Sequence, residues 1–514
     1  MTDLAVGIDL GTTFSVIAHL DSMGRPWTIP NTEGDLLTPS VVFFDGSTIV
    51  VGKEALKAAI AAPEEIAQFV KRDMGCQVYQ KAIHGQHLPP EVIQSYILAK
   101  LRRDATRKLG EFHKVVVTVP AFFNEPRRKA TQDAGALAGL EVIDIINEPT
   151  AAAISYGIQK GFLSPKGESR DKERLLVYDL GGGTFDATLM EIDGTHYNAI
   201  ATAGDIYLGG IDWDQRIADY LAEAFMKKNR GIDPRENPAG LQRLLREAED
   251  AKRTLSARDQ ATVTFEHGGD VVRVPITRQQ FEEMTVDLLD RTRFTVVNLL
   301  EGAKLQWSDV SRLLLVGGSS RMPMVQRMVE KLSGRTPDCS LSADEAVAHG
   351  AAVYAGLVLS SAAGAAPKVS VRNVNSHNLG VLGEDRKTGR RRNRVMIPRN
   401  TTLPAKHTAR FVTAHANQPS VVVKVVEGGD ASGNDATKIG KCIVRDLPAG
   451  LPAGSRVEVT FRYGQDGRLT VKARLPGSGK EAVSAIERSS GMTAETLRSW
   501  NQRLQKAQGP LSLS

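Results

Sequence analysis

Ile8-Asp9-Leu10-Gly11-Thr12-Thr13-Phe14-Ser15 and, much later in the chain, Tyr178-Asp179-Leu180-Gly181-Gly182-Gly183-Thr184-Phe185-Asp186 are near-copies of one phrase. Each opens with apolar residues, Leu4 to Ile8 and Leu175 to Tyr178, that read as a buried strand ending in an aspartate. Each then turns through Gly and Thr and resumes with alternating apolar residues, at Val16 and Ile17 or at Thr188 and Leu189, so the spacing predicts a β-hairpin. Glycine lets the backbone approach an anion closely and aim its N–H groups at it. The threonine hydroxyls add donors, and strand-end aspartates suit a hydrated Mg²⁺. Two such hairpins facing each other would grip a polyphosphate from both sides. The repetition implies a duplicated fold with the nucleotide in the cleft between its halves.

The chain has 514 residues, enough for about three domains and a sizeable core. Its 41% hydrophobic and 24% charged content is that of a globular protein. Cys76, Cys339 and Cys442 are widely spaced without metal-ligand pairing, which reads as reduced thiols and argues against a zinc site. Strand residues from Leu4 leave no room for a signal peptide, so a cytoplasmic location is expected. The most apolar stretch, Ala343 to Ala366, is broken by Asp344, Glu345, His349 and two serines, and reads as a packed helix running into a linker rather than a membrane span. The net charge of +6 hides an asymmetry. From Lys368 onward there are 25 Lys/Arg against 11 Asp/Glu, which leaves 40 against 48 in the front part. Such a basic rear part could attract acidic partners or nucleic acid. However, Arg390-Arg391-Arg392-Asn393-Arg394 supplies much of the surplus and reads as a solvated hairpin loop, so nucleic acid is not the expected partner.

Up to about residue 367, strand and helix patterns alternate. Helical periodicity is plain at Pro90 to Leu109, Asn124 to Ala138, Trp213 to Lys228, Leu241 to Leu255 and Arg278 to Glu301. Strands are expected at Lys114 to Val119, Ala261 to Phe265 and Arg312 to Val316. Ser360 to Pro367 is rich in small residues and reads as the end of a domain. Beyond it come short strands, at Val421 to Val426, Ile439 to Val444, Arg456 to Tyr463 and Arg468 to Ala473, with Gln465-Asp466-Gly467 as a hairpin turn. The rear part is therefore an all-β unit, followed by one short helix from Thr493 to Gln505 with Thr493 as its N-cap.

No Walker-type phosphate loop or spaced dinucleotide fingerprint occurs in the sequence. A third glycine turn does follow a strand: Leu315-Val316-Gly317-Gly318-Ser319-Ser320-Arg321. Between the second and third turns, Glu249, Lys252, Arg253 and Ser256 fall on one face of a helix. In this order, and with Lys71-Arg72, Val117-Thr118-Val119-Pro120-Ala121-Phe122-Phe123-Asn124, Asn147-Glu148-Pro149-Thr150 and Leu208-Gly209-Gly210-Ile211-Asp212, these motifs resemble the heat shock protein 70 (DnaK-like) chaperone family. Arg399-Asn400-Thr401-Thr402-Leu403-Pro404 and Val457-Glu458-Val459-Thr460-Phe461 resemble its peptide-binding β-domain.

The resemblance implies an α/β actin-like ATPase domain with a duplicated ribonuclease H-like core over 1–367, followed by a linker over 368–375. It further implies an all-β sandwich for peptide over 376–485 and a short helical or disordered tail over 486–514. It implies that Gly11, Thr12, Thr13, Phe14, Gly182, Gly183 and Thr184 bind the phosphates of ATP or ADP. Asp9 and Asp179 would hold Mg²⁺ through its waters, with Glu148 ordering those waters and K⁺ a further candidate ion. Lys71 would stabilise the attacking water, and Asp186 and Thr184 would help orient it. Phosphoryl transfer to water needs positioning and charge neutralisation, which one lysine, a metal and three acids can provide. Glu249, Lys252, Arg253, Ser256, Gly318, Ser319, Arg321 and Asp344 would hold the adenosine, with the Arg253 guanidinium suited to stacking on a base. Pro120 and Arg128 match positions linked to interdomain switching.

The implied function is that of a slow ATPase, ATP and water to ADP and phosphate, acting as a stress-response chaperone that binds extended hydrophobic segments of unfolded proteins. A nucleotide-exchange factor is an expected partner. Three departures shape the alternative, an ATP-binding regulatory or scaffold protein with uncoupled peptide binding. Lys368-Val369-Ser370-Val371-Arg372-Asn373-Val374 replaces the acidic, leucine-rich linker of the family, which argues against docking of that strand. Asp144 stands where the family commonly has an arginine that meets J-domain co-chaperones, and the reversed charge argues against that partner. The long helical lid has no counterpart in the residues after the sandwich, so fast, weak peptide binding is expected.

Overall fold

Val6–Leu10 and Phe14–Leu20 pair antiparallel with Asp9 opposite Val16, and Glu173–Leu180 pairs with Phe185–Asp193 so that Asp179 faces Asp186. In both hairpins the first strand continues the sheet through a parallel neighbour, Lys114–Val119 in one half and Arg312–Val316 in the other. The same hydrogen-bonding plan is thus built twice. The structure, a computed structural model, describes residues 4–46, 48–161, 172–362, 369–385, 388–464, 469–485 and 492–506.

In the first half the strand order runs Pro26–Thr28, Phe14–Leu20, Val6–Leu10, Lys114–Val119, Glu141–Asn147. In the second it runs Arg312–Val316, Glu173–Leu180, Phe185–Asp193, His196–Asp205, Ser370–Arg372. The helices flanking these sheets start where their sequences supply caps. Asn124 accepts from the Arg127 N–H ahead of Glu125–Leu137, and Asn237 accepts from the Gly240 N–H ahead of Pro238–Ala257. Helix Ala346–Ala362 is made largely of small residues and packs between the halves. A Cβ on Gly350 would run into the Ala151 backbone, and one on Gly7 would strike Ala351 and Ala352. The core around it joins Val116 and Ile146 of one half to Leu175, Val177 and Leu314 of the other.

The periodicity from Arg278 to Glu301 does not give one helix. Helix Arg278–Met284 ends at Thr285 and Val286–Ala303 begins after it. The buried Thr285 hydroxyl donates to the Phe281 carbonyl at 2.7 Å and so competes with the backbone for its own i−4 acceptor.

Among the described residues the rear part forms two four-stranded antiparallel sheets. One runs Arg391–Ile397, Leu379–Glu384, Val421–Glu427, Thr437–Val444; the other runs Ala405–Val412, Arg456–Tyr463, Leu469–Arg474, Glu481–Ala485. Inward residues of both sheets, among them Val381, Val425, Val459, Phe461 and Val471, form one core. The arginine tract is not the hairpin loop expected: from Arg391 it forms an outer strand, whose alternation leaves Arg392 and Arg394 exposed along with Arg391 while Asn393 is buried. The expected turn at Gln465-Asp466-Gly467, most of Ser360 to Pro367 and the 367/368 boundary fall outside the described residues.

The basic linker residues do not prevent docking. Ser370–Arg372 pairs in parallel with His196–Asn198, and the Ser370 N–H donates to the Thr195 carbonyl at 3.0 Å. A strand added to an edge is held by its main chain, and Arg372 simply points its charge to solvent. After the sheets, helix Ala494–Lys506 starts with Thr493 accepting from the Thr496 N–H at 3.1 Å. Its Trp500 packs on the core of the first half, where the helix meets Glu125–Leu137.

Candidate nucleotide site

The two hairpin turns meet in the cleft. A Cβ on Gly182 would stand 2.5 Å from the Thr13 hydroxyl, and one on Gly183 would clash with Thr12. Only glycine allows the turns this close. Gly11 closes the first turn under the Phe14 carbonyl, and Thr184 is buried beside the second. Beneath the turns lies a buried charge cluster. The Lys71 ammonium, 4% exposed, donates to Glu148 Oε1 at 2.5 Å. Asp9 accepts from the Thr118 hydroxyl at 2.9 Å. Asp186 takes two main-chain donors, the N–H of Ala121 on one oxygen and of Phe122 on the other, each at 3.1 Å.

Four acids around one ammonium leave the cluster short of positive charge. Burial first, then the neighbouring Glu148, push Asp9 up to about 7, against the pull of Lys71 and Thr118. Burial, Glu148, Asp186 and Asp9 raise Asp179 well above the ordinary carboxylate range. Burial and Glu148 lift Asp186 to about 7 although the Phe122 and Ala121 N–H groups oppose it. Burial also pulls on Lys71, but Glu148, Asp9 and Asp179 outweigh it and hold the ammonium above its ordinary value. A donor set of hard carboxylate oxygens lacking compensating charge fits a divalent cation such as Mg²⁺. Among the described residues no three such side chains converge closely enough to ligate an ion directly, so the fit is to a hydrated ion.

The second set of expected residues lies along the other wall. Lys252 donates to the Gly210 carbonyl at 3.0 Å and to Asp214 at 2.7 Å, and its own carbonyl accepts from Ser256 at 2.9 Å. Arg253 pairs with Glu249 at 2.6 Å, and its guanidinium stands 5.8 Å from the centre of the Phe14 ring, linking the helix face to the first hairpin. Gly318 sits beside Asp344, which pairs with Arg321 at 2.7 Å, and Ser319 backs onto Gly210. The third turn depends on Gly317, whose φ of +77° and contact with Asp179 exclude a side chain.

Sequence reasoning quoted Arg72 and Asp212 without giving them a role. Arg72 spans the cleft, donating to the Gly183 carbonyl at 2.9 Å and to both carboxylate oxygens of Asp212 at 3.2 and 2.5 Å. Its place beside Lys71 was the available signal. Asp214 was not singled out, and nothing in its spacing marks it. Asp144 accepts from the Tyr354 hydroxyl at 2.9 Å, and His349 meets the Thr28 hydroxyl at 2.9 Å.

A cleft of this charge between duplicated halves, joined to an all-β unit, places the protein among ATP-hydrolysing proteins with an appended binding domain. Residues 5–86 and 76–509 match the Hsp70 protein family. The chain is 39% identical over 505 residues to the chaperone protein DnaK of Thermotoga neapolitana, covering 96% of this chain and 82% of the relative. It is 40% identical over 493 residues to DnaK of Thermotoga petrophila, with 94% and 80% covered, and 40% identical over 514 residues to DnaK of Deinococcus deserti, with 94% and 79% covered. The chain belongs to the Hsp70 family. It is an ATP-dependent molecular chaperone of protein folding and the stress response that hydrolyses ATP and binds unfolded polypeptide, and use of nucleotide with Mg²⁺ goes with the family.

Proposed function

We propose that the front part, 1–367, is an actin-like ATPase whose reaction runs over the buried Lys71–Glu148 pair, and that the pair's place beneath both hairpin turns carries this reading. The backbone N–H groups and hydroxyls of Gly11, Thr12, Thr13, Phe14, Gly182, Gly183 and Thr184 cradle the phosphates. Asp9 and Asp179 hold the hydrated metal, which supplies charge neutralisation at the transferred phosphoryl group. Lys71 stabilises the attacking water and the developing charge, Glu148 orders the waters, and Asp186 with Thr184 orients the nucleophile. Glu249, Lys252, Arg253, Ser256, Gly318, Ser319, Arg321 and Asp344 bind adenosine. The linker over 368–375 transmits the nucleotide state to the sheets of 376–485, and the tail over 486–514 contributes the helix seated on the front part. The seated strand Ser370–Arg372 supports coupling over the scaffold alternative.

The rear sheets bind extended apolar segments and release them fast. K⁺ accompanies the metal. A nucleotide-exchange factor serves product release, and Asp144, an acid that accepts from the Tyr354 hydroxyl at 2.9 Å, argues against a J-domain partner that needs a cation there. The working compartment is the cytoplasm. Lys71→Ala is expected to slow single-turnover hydrolysis by at least about a hundredfold while ATP with Mg²⁺ still binds, as calorimetry and rapid quench will report. A rate within about threefold of the unsubstituted chain would sink the assignment.

A further inference from the structure

The segment Ala121–Phe122 is gripped from two sides. On one side its N–H groups hold the two oxygens of Asp186. On the other its carbonyls accept from the first residues of the rear part. The Ser376 hydroxyl donates to Ala121, and His377 Nε2 donates to Phe122 at 2.9 Å, with the imidazole packed against the Phe122 ring at 4.3 Å between centroids. Ser376 is buried, and the turn carrying both donors is pinned to the β-unit. Asn375 Nδ2 donates to the His377 and Pro398 carbonyls, while Asn375 Oδ1 and its carbonyl accept from the Thr401 and Asn400 N–H groups. Each carbonyl shares a planar unit with the N–H of the following residue, so holding the Ala121 oxygen fixes the Phe122 N–H, while holding the Phe122 oxygen fixes the Phe123 N–H, which donates to the Pro120 carbonyl at 3.1 Å in the unit that carries the Ala121 N–H.

We propose that Ser376 and His377 are positioning residues for ATP hydrolysis. Ser376 sets the Phe122 N–H directly and His377 sets the Ala121 N–H through the Phe123–Pro120 hydrogen bond, so the seat of the β-unit is read by one acid of the active site. The proposal rests on the role assigned to Asp186 above. It does not need the linker strand itself, whose pairing lies at residues 370–372.

The test is single-turnover hydrolysis of pre-bound ATP with Mg²⁺ by the full chain, read alongside ATP affinity and melting temperature. The double variant Ser376→Ala, His377→Leu is expected to hydrolyse roughly five- to tenfold more slowly with unchanged ATP affinity, the scale of lost orienting hydrogen bonds. His377→Gln alone keeps an N–H donor at the same reach and is expected to remain within about twofold of the parent chain. In an Asp186→Asn background the same double variant is expected to cost nothing further, since the group being aimed is gone. A full rate in the double variant, or an equal loss in the Asp186→Asn background, overturns the relay while leaving Asp186 its role. Asp186→Asn hydrolysing at the parent rate overturns both. Should the double variant fail to fold, Ser376→Ala and His377→Leu singly, each crossed with Asp186→Asn, give the same decision.

Discussion

Glu91 is a carboxylate in the wrong solvent. It lies in helix Pro90–Leu109 at 4% exposure, and among the described residues its Oε2 meets no hydrogen-bond partner. Burial first, and the nearby Asp133 with it, push its pKa up to about 7 although Lys129 pulls the other way. The folded chain therefore keeps this proton through a range where the unfolded chain has lost it. Stability from this group is full below the ordinary value of 4.5 and falls as pH rises towards 7, after which the penalty is constant. Glu91→Gln removes the ionisation and keeps the shape. The variant is expected to match the parent near pH 4.5 and to be more stable by about 2 kcal/mol at pH 8. Denaturant unfolding of the nucleotide-free protein at the two pH values checks this, and a difference that does not grow with pH refutes it. Lys71 faces the opposite situation. Its partner Glu148 and three further acids all need its charge, so it is retained as an ammonium in a place that would otherwise neutralise it.

At the scale of elements, the turn Asn375–His377 behaves as a seat whose occupancy depends on an uncharged imidazole. Burial holds His377 below its ordinary 6.5, and the facing cations add to this, Arg128 and Arg127 from the helix Glu125–Leu137 and Arg399 from the loop after Arg391–Ile397; the Phe122 carbonyl opposes them. Because the seated pKa is depressed, the contact is intact above the free histidine's value and is lost as pH falls below about 6.5. Protease protection of residues 369–378 is expected to decline between pH 7.5 and 5.5 in the parent chain and to stay level in His377→Gln. Parallel decline in both would assign the effect to other groups. Much at this scale was legible in advance. The duplicated Asp-Gly-Thr phrases gave both hairpins, and short alternating runs gave four of the eight described rear strands, those at Val421–Glu427, Thr437–Val444, Arg456–Tyr463 and Leu469–Arg474, because buried strands and tight turns are local patterns. The failures were of another kind. The break at Thr285 depends on one hydroxyl choosing the Phe281 carbonyl, and helix periodicity is blind to that. The linker was misjudged because its side chains were weighed, whereas its pairing with His196–Asn198 uses the main chain. Arg72 across to Asp212, and Ala121–Phe122 beneath Asp186, join residues far apart in the chain, and only the folded cleft brings them together.

For the whole molecule, the helix Glu125–Leu137 is where the parts meet. Its first N–H donates to Glu427 at 2.9 Å, the Glu125 carboxylate accepts from the Tyr463 hydroxyl at 2.7 Å, and the C-terminal helix packs alongside. Both glutamates come to this junction from different domains, and Tyr463 is only 6% exposed at the end of its strand. Burial and the adjoining Glu125 and Glu427 hold that phenol well above its usual range, so it donates at every physiological pH. A hydrogen bond from a buried phenol to a carboxylate contributes about 1.5–3 kcal/mol, and here it exists only while the β-unit is seated. Coupling between nucleotide and peptide can be no larger than the free energy that distinguishes seated from released arrangements. Tyr463→Phe preserves the ring in the core and deletes the hydroxyl alone. The ratio of peptide affinities with and without ATP is therefore expected to shrink by about tenfold, while ATP affinity of the isolated step and the fold stay as they were. Fluorescent-peptide titrations of the full chain under both conditions measure that ratio. If it is unchanged in a Tyr463→Phe protein that melts like the parent, the junction at Glu125 does not carry the coupling, and the relay through Ser376 and His377 is left as the route by which the β-unit addresses the ATPase cleft.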